Sequence, residues 1–192
     1  MTDRRFVHRA AALTPRVGIA LLVGIALLGC ASRPPEPKPR VWTEARTALA
    51  SELEVALEES APAAAGEVVV RLAFGEGVDL DLYVTDPLQE TVYFANTPIA
   101  SSGVLESDRR CEPERGAARI ETVRFPAPPP GRYRVGVDYP SSCDGRRDDV
   151  PYAVVVDIGG GRQIFRGLAR FVVFDLIVTE FLIATPGEAG GP

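Results

Sequence analysis

From Gly66 onward, apolar and polar residues alternate with a period of two. Val68, Val70, Leu72 and Phe74 share one parity, opposite Val69, Arg71 and Ala73. Leu80, Leu82 and Val84 share another, opposite Asp79, Asp81 and Tyr83. Such alternation marks strands that turn one face to a core. Further strands are predicted at 90–95, 103–106, 118–125, 131–139, 151–158, 162–166 and 170–183, with proline and glycine clusters between them and a hairpin turn at the triple glycine 159–161. Eight or nine short strands without an intervening helix predict one mainly β domain over 66–184, an antiparallel jelly-roll-like β-sandwich. The last segment breaks the pattern. Phe171-Val172-Val173-Phe174 is apolar on both parities, which requires either burial on both faces or a bulge that shifts the register.

Ahead of the strands the period is helical. Over 41–60, Ala45, Leu49, Leu53 and Ala56 recur at helix spacing while the glutamates fall mostly elsewhere. Thr43 suits the N-cap and Ala61-Pro62 ends the helix. This amphipathic helix is expected to pack Trp42, Leu49 and Leu53 against the following domain; docking onto a partner through the same stripe is the alternative. Residues 30–40, rich in proline and charge, form an extended tether, and 185–192 a disordered tail.

The first residues carry Arg4, Arg5, Arg9 and Arg16, then an apolar and glycine run from Val17 to Gly29. In a helix that run rises only about 20 Å, short of the roughly 30 Å of a bilayer core, so it reads as the apolar region of a signal peptide over 1–29. Leu27-Leu28-Gly29-Cys30 resembles the lipobox of bacterial lipoproteins. That resemblance implies cleavage before Cys30, lipid attachment (a palmitate-type acyl anchor) at its thiol and amine, and residence in the cell envelope. Ala31 and Ser32 after the cysteine imply the outer membrane, facing the periplasm or the exterior.

Removing the leader changes the charge. The whole chain carries −5; without the four arginines and one aspartate of 1–29 it has 17 basic and 25 acidic residues, or 17 − 25 = −8. No nucleic-acid partner is expected for so anionic a chain. The single histidine, His8, lies in the leader, so imidazole nucleophile systems and imidazole metal ligands are excluded from the mature chain. Cys111 and Cys143, in polar loops 32 positions apart, are expected to form a disulfide bond in an oxidising compartment.

Two motifs carry a second resemblance. Asp79-Leu80-Asp81-Leu82-Tyr83-Val84-Thr85-Asp86-Pro87 and Pro130-Gly131-Arg132-Tyr133-Arg134-Val135-Gly136-Val137 resemble signatures of bacterial pre-peptidase C-terminal domains and of a related uncharacterised secreted family. The resemblance implies a jelly-roll-like sandwich with a non-catalytic accessory role, in some members calcium binding or polymer binding.

The residues themselves offer two chemistries. Asp79 and Asp81, two apart on a strand, have Cα atoms roughly 6.6 Å apart and could converge on calcium, aided by Asp86 or by Asp108, Asp144, Asp148 or Asp149; the competing reading is a solvated strand face. Tyr83 and Tyr93 emerge on the same side as Asp81 and could stack on a sugar ring or a peptide, or simply cover the sheet. A glycosidase pair would need one carboxyl of raised pKa, which an open sheet face does not supply. No catalytic residues are assigned, and calcium is the one cofactor considered. The expected function is that of a lipid-anchored, non-catalytic envelope protein binding another envelope protein or a polysaccharide. An assembly subunit docking through the helix, and a glycan hydrolase, are the alternatives.

Overall fold

The computed structural model describes residues 38–111 and 118–185, all within the second of the two units into which the chain divides after Pro37. The signal peptide, Cys30, the tether up to Pro37 and all of the tail but Thr185 lie outside the described residues.

A helix, α1 (Glu44–Glu58), precedes nine strands: β1 (Val68–Phe74), β2 (Val78–Thr85), β3 (Thr91–Val92), β4 (Val104–Ser107), β5 (Arg119–Phe125), β6 (Gly131–Ser142), β7 (Val150–Ile158), β8 (Gly161–Ala169) and β9 (Asp175–Ile183). They form two antiparallel sheets, ordered β4-β5-β1-β7-β8 and β3-β2-β6-β9. The chain changes sheet after β1, β3, β5, β6 and β8, and makes hairpins at β2–β3, β4–β5 and β7–β8. This is the expected β-sandwich. The β7–β8 hairpin turns at Gly159 and Gly160, whose φ of 52° and 100° are the left-handed values that two-residue hairpins demand.

The inward parities meet as predicted, with Leu72, Phe74, Leu80, Leu82, Phe125, Tyr133 and Val135 all buried in one core. Yet β1 is buried at all seven positions, because α1 lies on the outer face of its sheet. Leu53 and Leu57 pack there against Ala73, Ala153 and Val155, with Leu49 and Ile164 at the margin. Small residues in the strands let the helix approach closely.

Thr43 caps the helix as expected, its hydroxyl accepting from the Arg46 N–H at 3.3 Å. The buried stripe is rotated from the predicted one: Ala50, Leu53 and Leu57 face the sheet, whereas Ala45 is exposed. Trp42, expected in the interface, precedes the first turn and is 42 % exposed, with the Arg166 guanidinium 5.8 Å from its ring centroid. The last turn of α1 carries no basic residue. Arg162 on β8 supplies the missing charge, donating from Nη1 to the carbonyls of Leu57 and Glu58 and from Nη2 to that of Ser60, while Nη2 and Nε also bind the buried Asp157 at 2.6 and 3.1 Å. The free carbonyls of a helix end attract cations, so this ion pair pins α1 to the sheet.

The other differences are at strand ends. The segment 171–174 is neither two-faced strand nor bulge: it is the crossing between sheets, with Val172 at φ 53°. Phe171 packs on the core, while Val172 and Phe174 point outward. The strand expected at 90–95 shrinks to Thr91–Val92, because the chain turns back at Tyr93, bridged to Asn96. One flank of β2 is thereby left open.

If α1 is part of the core, Leu53→Ala should destabilise the protein by about 2–5 kcal/mol. Urea unfolding checks this. A loss below half a kcal/mol would mean the helix is dispensable.

Candidate functional site

The outer parity of β2 carries Asp79, Asp81, Tyr83 and Thr85, and β6 sets Asp138 directly opposite Asp81 and Gly136 opposite Tyr83. Like charges facing across two strands repel, so this end of the sheet is costly by construction. The register slips there by one residue, with Tyr139 and Pro140 opposing Leu80. A bulge is one of the few places where a strand accommodates proline, which brings no N–H to the ladder.

Only Val84 and Thr85 of β2 pair with β3, so the flank of β2 below them has no neighbouring strand. Glu121 occupies that gap. It sits on the inward parity of β5, is 1 % exposed, and accepts from the Leu82 N–H at 2.8 Å through Oε2 and from the Arg109 N–H at 3.0 Å through Oε1. The second bond draws the segment after β4 onto the open edge, and that segment carries Asp108. One carboxylate oxygen each from Asp81, Asp108 and Glu121 lie within 4.8 Å of one another.

The disulfide Cys111–Cys143, with Cα atoms 5.2 Å apart, ties this segment to the end of β6. It therefore fixes Asp108 from its far side. Closing a loop of this length is worth on the order of 3 to 4 kcal/mol in the chain-entropy model.

Burial governs the titration of the cluster. Asp81, only 8 % exposed, is pushed up to about 7 by desolvation first and then by the charges of Asp79, Asp108 and Asp138, against the opposing pull of Arg110. Glu121 is pushed up to about 8, burial outweighing the two backbone N–H bonds that favour its charged form. Desolvation and Asp108 raise Asp79 as well. Of the two readings of this face, the solvated one does not fit Asp81, which is nearly buried, whereas Asp79 and Asp138 keep intermediate exposure.

Other predicted ligands are elsewhere. Asp86 lies at the opposite end of β2, roughly 16 Å along the strand from Asp81. Its Oδ1 accepts from the Glu90 N–H at 2.9 Å, so it closes the turn into β3 and takes no part in the cluster. Asp144 and Asp149 are engaged by Arg146 and Arg170. Of the loop acids considered, Asp108 alone joins.

Tyr83 and Tyr93 do come together, stacked with centroids 5.0 Å apart and planes at 16°. Neither offers a free face in the expected way. Phe174 lies on Tyr83 at 4.6 Å and Phe94 meets Tyr93 edge-on at 5.3 Å, giving a row of four rings whose ends, Phe94 and Phe174, are the exposed members. Gly136 makes the row possible: a Cβ there would come within 3.0 Å of Phe174 and 3.1 Å of two backbone carbonyls. On one side of Tyr83 is a hollow of about 280 Å3 lined by Asp79, Asp81, Asp138, Phe94 and Arg110. On the other is one of about 250 Å3 between Tyr93, Phe174 and Leu176. Arg110 bridges both chemistries, pairing with Asp108 at 3.0 Å and lying 5.5 Å from the Phe94 centroid.

Sequence reasoning passed over Glu121, Phe94, Phe174 and Arg110. Glu121 did leave a signal, a charge on the parity set as inward by Val123 and Phe125. Phe174 belonged to the segment taken for strand.

Comparison with protein-family models, curated proteins and solved structures gives no match to this chain. The two sequence motifs at 79–87 and 130–137 fall on β2 and β6, which are paired neighbours.

Raised carboxyl pKa values have a definite consequence for stability. Unfolded carboxyls titrate near about pH 4, so the folded protein keeps protons on Asp81 and Glu121 that the unfolded chain releases. Their contribution is full below that pH and is lost as pH rises through about 7 and 8. Asp144, held down to about 2 by Arg146, acts oppositely but only in more acidic solution. In chelator-containing buffer, Tm should fall between about pH 5 and pH 8, and Asp81→Asn should flatten the slope. An unchanged slope in the variant would show that Asp81 is not the group responsible.

Proposed function

We propose that this chain is a lipid-anchored protein of the bacterial cell envelope, held at the outer membrane through Cys30, whose sandwich binds another envelope component through the outer face of its four-stranded sheet. The observation that carries the reading is the row Phe94–Tyr93–Tyr83–Phe174 beside a hollow walled by carboxylates. Rings at the row's ends give apolar faces for stacking, and the adjacent carboxylates and Arg110 give hydrogen-bonding groups. That combination fits polysaccharide, whose sugar rings have apolar faces rimmed by hydroxyls, as well as a peptide with aromatic side chains.

Assembly through the helix is less well supported. Its apolar stripe is covered by the sheet, leaving Val41, Trp42 and Val55 as the exposed large apolar residues near α1. For a hydrolase, the raised pKa of Asp81 is the one favourable feature. Glu121, however, has both oxygens bound to backbone N–H groups and is out of reach of a substrate, so the two acids do not flank a bond in the manner of a glycosidase pair. Among the described residues, no helix is long and apolar enough to cross a membrane.

Two measurements test the reading. Cys30→Ala should move the protein from the membrane fraction to the soluble one. Co-sedimentation with purified peptidoglycan sacculi and cross-linking in whole cells should both weaken by about tenfold in Phe94→Ala and Phe174→Ala, the loss of one stacking contact at an interface. Retention of full binding by both variants would move the binding surface off this sheet.

A further inference from the structure

We propose that Asp81, Asp108 and Glu121 form a calcium site at the open edge of β2. The carboxylates arrive from three separate elements, one from β2, one from the segment after β4 and one from β5, yet an oxygen of each falls within 4.8 Å of the others. That spacing matches oxygens held around one ion at the 2.3–2.6 Å distances calcium takes.

A second observation is independent of the clustering. Asp81 is 92 % buried by the complement of its 8 % exposure, and among the described residues nothing donates a hydrogen bond to its carboxylate. Asp108 Oδ1 and Asp79 Oδ1 are likewise buried without a hydrogen-bond partner. Buried carboxylates normally have partners, and Asp81, which has none and sets an oxygen within 4.8 Å of those of Asp108 and Glu121, calls for a cation. Glu121 is not excluded by its two N–H bonds, since each oxygen keeps a further lone pair.

The donor set identifies the ion. Every available ligand atom is a carboxylate oxygen, which selects a hard cation over zinc or copper. Magnesium requires a near-ideal octahedron at shorter distances, whereas calcium accepts an irregular carboxylate set completed by water. Charge agrees with this choice: Arg110 offsets Asp108, and a divalent ion offsets the rest.

The ion would replace repulsion among these acids with a bond between the β2 edge and the segment that the Cys111–Cys143 disulfide already restrains. It would therefore rigidify the wall of the hollow beside Phe94. The inference goes beyond the envelope-binding reading and does not depend on it.

The test uses the full-length protein in detergent, stripped with chelator and titrated with calcium chloride by calorimetry, with Tm followed in parallel. One ion per chain and a rise in Tm are expected. Asp108→Asn and Asp81→Asn should each weaken binding by at least about tenfold, because affinity follows the number of charged ligands. Asp144→Asn, the same charge change at an acid engaged by Arg146, should leave it unchanged. Circular dichroism of the metal-free variants shows whether they fold, and Asp81→Asn should fold at least as stably as wild type because it relieves buried repulsion. No binding at millimolar calcium, equal affinity in all variants, or magnesium binding as tightly as calcium would each overturn the assignment.

Discussion

One buried carboxylate bridges the two sheets of this sandwich from within the apolar core that they share. Glu121 stands where the core parity of β5 demands an apolar residue, and it meets the unpaired edge of β2 in the other sheet. Without it the Leu82 N–H would be buried and unsatisfied, at a cost of about 1–3 kcal/mol. Its second oxygen takes the Arg109 N–H and so decides where Asp108 lies. A longer β3 would have satisfied the same edge with ordinary ladder bonds. It would also have covered the acid cluster. The two-residue strand and the buried glutamate are therefore two sides of one arrangement, in which an edge is kept open and closed by side chain rather than by backbone.

The same logic of satisfied ends holds at the helix. A helix whose last turn lacks a basic residue would leave its carbonyls poorly served against an apolar sheet. Arg162 reaches them from β8, and Asp157, nearly fully buried, orients the guanidinium that does so. Packing then does the rest: Leu53 and Leu57 over alanines give close contact without overpacking. The helix covers this sheet alone, so among the described residues the four-stranded sheet keeps its outer face free of helix.

How much of this could be read from the chain depends on what each residue answers to. Strand positions from Val68 to Val84, the N-cap at Thr43, the glycine hairpin and the cysteine pairing follow local rules, and local rules are visible in sequence. The helix stripe lies about one position further on than expected because Leu49 and Ala50, and Ala56 and Leu57, are adjacent apolar pairs, and only the sheet beneath chooses between their members. Asp79 and Asp81 were legible as a pair, and so was the meeting of Tyr83 with Tyr93. Asp86 was not separable from them, since its neighbours along the strand look alike and only the turn to Glu90 claims it. Glu121 and Phe174 answer to long-range geometry. One depends on the shortness of β3, the other on where β8 stops, and a strand boundary is weakly encoded when the residues around it remain apolar.

The acids and the aromatic row share one strand, and that sharing constrains both. Asp79, Asp81 and Tyr83 are successive outward positions of β2, so any change in the register of β2 against β6 moves them together. The slip at Tyr139 and Pro140 sits beside the acids, whereas Tyr83 is held in regular pairing opposite Gly136. Gly136 gives Phe174 room to lie down on Tyr83, and Phe174 comes from the crossing that leads into β9. Three supports distant in sequence thus converge on one strand: the acids need the segment after β4 and the disulfide behind it, and the rings need the crossing after β8. A surface that merely faced solvent would require none of these supports. Their concentration on the sheet that the helix leaves bare is the physical argument for placing recognition there.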